Sequence, residues 1–164
     1  MQKGFAALEI VIATLIVAVF IRVAIPNFSR MIDRVALDYE VKKLYTDMRF
    51  LRSLERMTNM KDTHFSTTDD NPIILLIYPE RYIFKRFYPA EIFDEHYFSY
   101  GVTASQKGGG EIWQIKFDDM GKAKNADNKS IDNDTLILTS GQGKEFYIYF
   151  INTWRFSASR VKRY

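Results

Sequence analysis

The apolar positions of this chain fall into three regimes. From Phe5 to Ile25, 21 residues in all, only Glu9, Thr14 and Arg22 break an apolar run. A helix of that length rises about 30 Å, which is the thickness of a bilayer's hydrocarbon core. After Pro26 the apolar residues thin to a stripe, Leu37, Val41, Leu44, Met48, Leu51 and Leu54, at steps of four and three. That spacing predicts an amphipathic helix with one buried side. Between these positions stand Asp33, Arg34, Asp38, Glu40, Lys42, Lys43, Asp47, Arg49, Arg52, Glu55 and Arg56, the face expected in solvent. The two patterns join into one rod from about Phe5 to Met57, fading near Thr58-Asn59.

From Pro72 the period shortens to that of strands. Runs are predicted at Ile73–Tyr78, Arg81–Tyr88, Tyr97–Thr103, Ile112–Phe117, Thr135–Thr139 and Phe146–Asn152, with a short one near Trp154–Ser157. Pro79-Glu80, Pro89, Gly108-Gly109-Gly110, Gly121 and Gly141-Gln142-Gly143 punctuate them. Strands this close together, with no helix between them, predict antiparallel pairing in two small packed sheets. The expected fold class is α+β: a long N-terminal helix, transmembrane in its first half and kinked near Pro26, packed on an antiparallel β-domain. Residues 60–71 and 122–134 read as loops, and no internal repeat is visible.

Composition changes this picture in two ways. Zero cysteines exclude a disulfide framework, a thiol nucleophile and Cys-based metal sites. The mean hydropathy of −0.21 is that of a soluble protein, so it averages two environments. The net charge of +3, from 23 basic and 20 acidic residues, is also uneven. Trp154 to Tyr164 carries Arg155, Arg160, Lys162 and Arg163 with no acid, which leaves 19 basic against 20 acidic residues elsewhere.

Catalytic chemistry finds no support in the sequence. His64 and His96 are the only histidines, and neither has metalloprotease or serine-triad spacing around it. Gly141-x-Gly143-Lys144 lacks the earlier glycine and the following hydroxyl residue of a phosphate-binding loop, so it reads as a hairpin turn. Asp127, Asn128, Ser130, Asp132, Asn133 and Asp134 form an oxygen-rich loop without the alternating ligands and sharp glycine turn of a calcium site. The expectation is a non-enzyme with no cofactor, no metal and no small-molecule substrate.

For the N-terminal segment, a cleaved signal peptide fits poorly, because the run is long, holds a carboxylate and lacks a small-x-small cleavage site. A plain signal anchor explains the length but not Glu9, since a carboxylate inside the bilayer costs about 2.5–3.5 kcal/mol and asks for a partner. The string Gly4-Phe5-Ala6-Ala7-Leu8-Glu9, followed by the apolar run and Ile25-Pro26-Asn27-Phe28, resembles the N-terminus of type IV pilins and pseudopilins. That resemblance implies cleavage after Gly4 by a prepilin peptidase and N-methylation of Phe5. It implies that Glu9 pairs with the N-terminal amine of a neighbouring subunit, and that the helix loosens near Pro26. Such a pair is strong in a low-dielectric setting, and a misregistered neighbour leaves both charges uncompensated.

The expected organisation is a leader at 1–4, a transmembrane and filament helix at 5–25, its amphipathic continuation at 26–58, and a β-rich domain at 59–164. The resemblance implies a single-pass protein of the bacterial inner membrane, N-terminus cytoplasmic and β-domain outside, which later enters an extracytoplasmic filament. Lys3 alone precedes the span while Arg30, Arg34, Lys42 and Lys43 follow it, opposite to the positive-inside rule, but a four-residue leader leaves that count little weight. Arg22 departs from the family's apolar pattern and reads as an arginine snorkelling to the outer boundary, the alternative being a filament contact with an acidic neighbour.

The C-terminal half, from Phe117-x-x-x-Gly121 through Leu136-Ile137-Leu138 and Phe146–Phe150 to Thr153-Trp154-Arg155, is similar to the H-type (GspH/FimT-like) minor pseudopilins. Trp154 stands where that branch usually has a turn glycine. Implied partners are other pilin or pseudopilin subunits, the prepilin peptidase and, before assembly, membrane lipid. An alternative is a DNA-binding minor pilin for DNA uptake, with Arg155, Arg160, Lys162 and Arg163 on phosphates and the interleaved aromatics on bases.

Overall fold

The computed structural model describes residues 3–61, 73–86, 90–107, 113–118, 120–125, 127–152 and 155–160, with helix side chains described from residue 8 to residue 56. Helix α1 spans Lys3–Lys61 as one element and carries Pro26 in its interior. Proline has no N–H to donate, so the Arg22 carbonyl one turn earlier loses its helical partner there, yet the helix continues. It also runs four residues past Met57.

Among the described residues nine strands follow: β1 (Ile74–Ile77), β2 (Arg81–Arg86), β3 (Glu91–Tyr97), β4 (Thr103–Gln106), β5 (Trp113–Phe117), β6 (Ala123–Lys124), β7 (Thr135–Thr139), β8 (Glu145–Asn152) and β9 (Arg155–Ser159). They form a five-stranded sheet in the order β3-β2-β1-β5-β6 and a four-stranded sheet in the order β4-β7-β8-β9. These strands pair antiparallel throughout. The α+β class and the long helix on antiparallel sheets are therefore as the sequence predicts.

One predicted strand is corrected. Residues 98–102, inside the predicted strand Tyr97–Thr103, are the turn between β3 and β4, where Tyr100 (φ 52°) and Gly101 (φ 68°) both take the left-handed conformation. The strand lies earlier, at Glu91–Tyr97, and was hidden because β3 is an edge strand exposed at every residue but the half-buried His96, with no alternation to read. A bulge adds to this: Phe84 faces Asp94 and Lys85 faces Ile92, so Phe93 opposes no partner. The short β6 likewise falls inside the predicted loop 122–134.

The core forms where the outer half of α1 meets both sheets. Leu44, Met48 and Leu51 pack with Leu75, Tyr82 and Ile115 of the first sheet and with Leu138, Ile148 and Phe150 of the second. Trp113 meets Phe150 edge-on at 5.0 Å, joining the two sheets through aromatic contact. The predicted apolar stripe is this core face, with Leu54 only partly buried at its end.

Candidate functional site

Two features of α1 concentrate the unusual chemistry. The first is its apolar half. From Leu8 through Arg30 every residue is exposed, and large side chains such as Ile10, Leu15, Phe20 and Ile25 stand 50% or more open. No described part of this segment is covered by the protein's own fold. So long an uncovered apolar rod is unfavourable in water. By length and composition it is long and apolar enough to cross a membrane.

Within that segment the Thr14 hydroxyl is satisfied by donating to the Val11 carbonyl at 2.9 Å. Glu9 and Arg22 are both exposed, and their thirteen-residue separation puts them about 20 Å apart along the axis, beyond any contact within one helix. Gly4 and Phe5 lie in the first turn of α1. Beyond Pro26 the outward side still carries Phe28, Met31, Val35, Tyr39 and Phe50, each more than half exposed and opposite the buried stripe.

The second feature is a seam of carboxylates along the sheet-facing side. Asp33, Glu40 and Glu55, expected in solvent, are instead buried, and Asp47 is half-buried. Each holds a different part of the β-domain. Asp33 accepts from the Ser140 hydroxyl at 2.8 Å and the Gln142 N–H at 3.2 Å, in the turn between β7 and β8. Glu40 takes His96 Nε2 at 2.6 Å and both the N–H and hydroxyl of Ser99 at 3.0 and 2.5 Å. Asp47 accepts from the Tyr82 hydroxyl at 2.5 Å and from Lys43 at 3.1 Å. Glu55 accepts the Ile73 N–H at 2.8 Å, where the first sheet begins.

Burial of a charge is tolerable only with such partners. Desolvation pushes the Glu55 carboxyl above its ordinary range, opposed by the Ile73 N–H and by the charge of Arg86. The Tyr82 hydroxyl is pushed up as well, first by burial and then by Asp47. The signal in the sequence was the seven-residue spacing of Asp33, Glu40 and Asp47, which keeps one helix face.

The basic C-terminal residues are only partly brought together. Arg155 opens β9 and is exposed, while Arg160, just past β9, is ion-paired with Asp38 of α1. The Tyr45–Phe156 ring contact at 4.9 Å fixes this strand beside the helix. Lys162, Arg163, Trp154 and His64 lie outside the described residues. The Gly141-x-Gly143-Lys144 stretch is a hairpin turn closed by the Ser140 N–H to the Lys144 carbonyl at 2.8 Å. In the oxygen-rich loop, Asn125 Oδ1 accepts the N–H groups of Asp127 and Lys129 at 3.0 and 2.9 Å, and the Ser130 hydroxyl accepts that of Asp132. Those oxygens serve the loop's own backbone. No family model, curated protein or solved structure matches this chain.

Proposed function

We propose that this chain is a minor pilin or pseudopilin, most like the H-type branch, and a structural subunit of a type II secretion or type IV pilus-like filament. The observation that carries this reading is the division of one helix. Its second half is the core of the β-domain, whereas its first half is apolar, uncovered and bears a lone carboxylate at Glu9. A helix of this kind exchanges lipid for neighbouring helices when the subunit leaves the bilayer. Its working steps are cleavage after Gly4, methylation of the new N-terminus at Phe5, pairing of Glu9 with a neighbour's terminal amine, and assembly.

The β-domain is the part that faces outward, and the carboxylate seam keeps it fixed to the helix while the helix is moved. Support for the reading comes from the N-terminal residues and from the α+β layout together. The DNA-uptake alternative is weaker, because Asp38 already neutralises Arg160.

Coexpression with a prepilin peptidase tests the proposal. Intact mass should fall by the four residues Met1–Gly4 and rise by one methyl group. A chain of unchanged mass beside an active peptidase would reject it.

A further inference from the structure

Both sheets send turns toward the end of the β-domain nearest the apolar segment. Strand β3 passes Glu40 at His96 and leads into the Ser99–Gly101 turn; β7 leads into Ser140, held by Asp33. These two turns touch. A β-carbon on Gly141 would stand 3.2 Å from the Tyr100 carbonyl oxygen and 3.9 Å from Asp33 Oδ1, so glycine permits the approach. Gln142 reaches furthest along the helix, its Nε2 donating to the Ser29 hydroxyl at 3.2 Å.

The helix sets the depth of this end. Ser29 is four residues beyond Ile25 and Asp33 eight, or about 6 and 12 Å along the axis. If the apolar segment occupies the hydrocarbon core, the headgroup layer fills about the next 5–8 Å. The Gln142 side chain then sits at the outer edge of that layer, and the Tyr100 turn directly behind it.

Tyr100 is the residue out of place in a water-facing turn. It is 72% exposed, among the most open large side chains of the described residues, and it holds φ at 52° where a β-carbon is disfavoured. Asparagine or glycine would suit the backbone better, so the ring itself needs a reason. Tyrosine is enriched where an apolar body meets a polar surface, as at membrane interfaces. At the same level stand Arg30 and Arg34 on α1, both exposed, and Lys144, which is 4.0 Å from the buried Asp33. Against Asp33 and the neighbouring Glu145 the three cations still leave a positive charge in excess, which favours anionic headgroups.

We infer that the paired turns, with Tyr100 as the aromatic anchor and Arg30, Arg34 and Lys144 as the cations, form a docking surface for anionic lipid headgroups. The surface holds the β-domain upright on the bilayer before the subunit is drawn into a filament. This rests on the reading that residues 5–25 span the membrane.

The absence of native cysteine permits a direct test in the full-length chain, reconstituted in vesicles of mixed neutral and anionic phospholipid. A fluorescent label is placed on Gln142→Cys or, as a control at the far end of the domain, on Met120→Cys. Quenching by aqueous iodide should be several-fold weaker at 142 than at 120. The shielding should drop when the anionic lipid is replaced by neutral lipid, and again with Tyr100→Asn, which keeps a residue tolerant of the left-handed conformation. Equal quenching at the two positions overturns the inference. So does shielding at 142 that ignores lipid charge and Tyr100 but grows with protein density, since a second copy then covers the surface. Alkaline extraction separates the premise: a chain released from the vesicles refutes the span, whereas a retained chain with an open position 142 refutes the docking surface alone.

Discussion

The buried Glu40 carboxylate grips His96 at 2.6 Å across 56 residues of chain, and its second oxygen takes the Ser99 hydroxyl and N–H. A helix position is thereby fixed to the last residues of β3 and to the turn that follows. The same relation recurs at Asp33, Asp47 and Glu55, so force applied along α1 reaches both sheets through hydrogen bonds as well as through the core. For a subunit moved by its helix, that coupling keeps the domain from peeling away.

Glu40→Ala leaves a histidine, a hydroxyl and an N–H without their acceptor in a buried place. A buried donor left unsatisfied costs about 1–3 kcal/mol, and at least the two of Ser99 are left so here. Glu40→Gln keeps an oxygen for Ser99 and a polar group for His96, and should cost about 1–2 kcal/mol. Denaturant unfolding of the full chain in detergent, followed by the near-ultraviolet signal, should rank wild type, Gln and Ala in that order.

Glu55 gives the domain a defined pH response. Its folded-state affinity for a proton is raised by burial, so the folded state binds more protons than the unfolded chain between the ordinary carboxyl value and the raised one. Its contribution is favourable below the unfolded value and is lost as pH rises through the folded one. Glu55→Gln keeps an acceptor for the Ile73 N–H and removes the titration. Unfolding midpoints measured from acid to neutral pH should converge at low pH. At neutral pH the Gln variant should be at least as stable as wild type, and a wild-type advantage that grows with pH would contradict this.

Much of the fold was legible because it follows local periodicity. Thr135–Thr139 coincides with its predicted strand, and the stripe from Leu37 to Leu51 is the core face, because one-sided burial imposes a repeat that the sequence must display. The edge strand β3 shows no repeat, since His96 is its one residue that is even half-buried. The carboxylate seam was hidden for a different reason. Asp33, Glu40 and Glu55 look like solvated residues until the partners that satisfy them are known. Those partners, Ser140, His96, Ser99 and Ile73, are distant in sequence, and pairing at that range is decided by topology rather than by neighbours.

Two glycines separate backbone strain from crowding. Gly121 and Gly143 have φ of 76° and 78°, but a β-carbon would be roofed only at Gly121, by Arg56 Cδ at 3.0 Å and Arg52 Nε at 3.1 Å. Alanine at either position must hold the left-handed conformation, a net cost of about 1 kcal/mol once the smaller entropy of the unfolded chain is included. Gly121→Ala should cost somewhat more than Gly143→Ala, because the two arginines must shift. Equal costs in denaturant unfolding would show that these long side chains move freely.

If the chain is the proposed pilin-like subunit, Glu9 is the position where assembly and processing can be pulled apart. Its side chain is exposed on a segment that the β-domain leaves uncovered, so replacing it removes no contact of the fold. Glu9→Gln should therefore leave the unfolding midpoint within about 0.5 kcal/mol of wild type, as surface changes usually do. Removing a charge from an apolar segment also makes residence in the bilayer easier, by a few kcal/mol on insertion scales. Membrane insertion and shortening by the prepilin peptidase should proceed as before. On the proposed reading, what the variant lacks is the attraction to a neighbour's terminal amine, which is strong only where water is excluded. Sheared filament fractions should then contain little of the variant although its mature form accumulates in the membrane. Normal incorporation of Glu9→Gln would mean that packing of the apolar faces alone sets the register, and that the carboxylate serves another purpose.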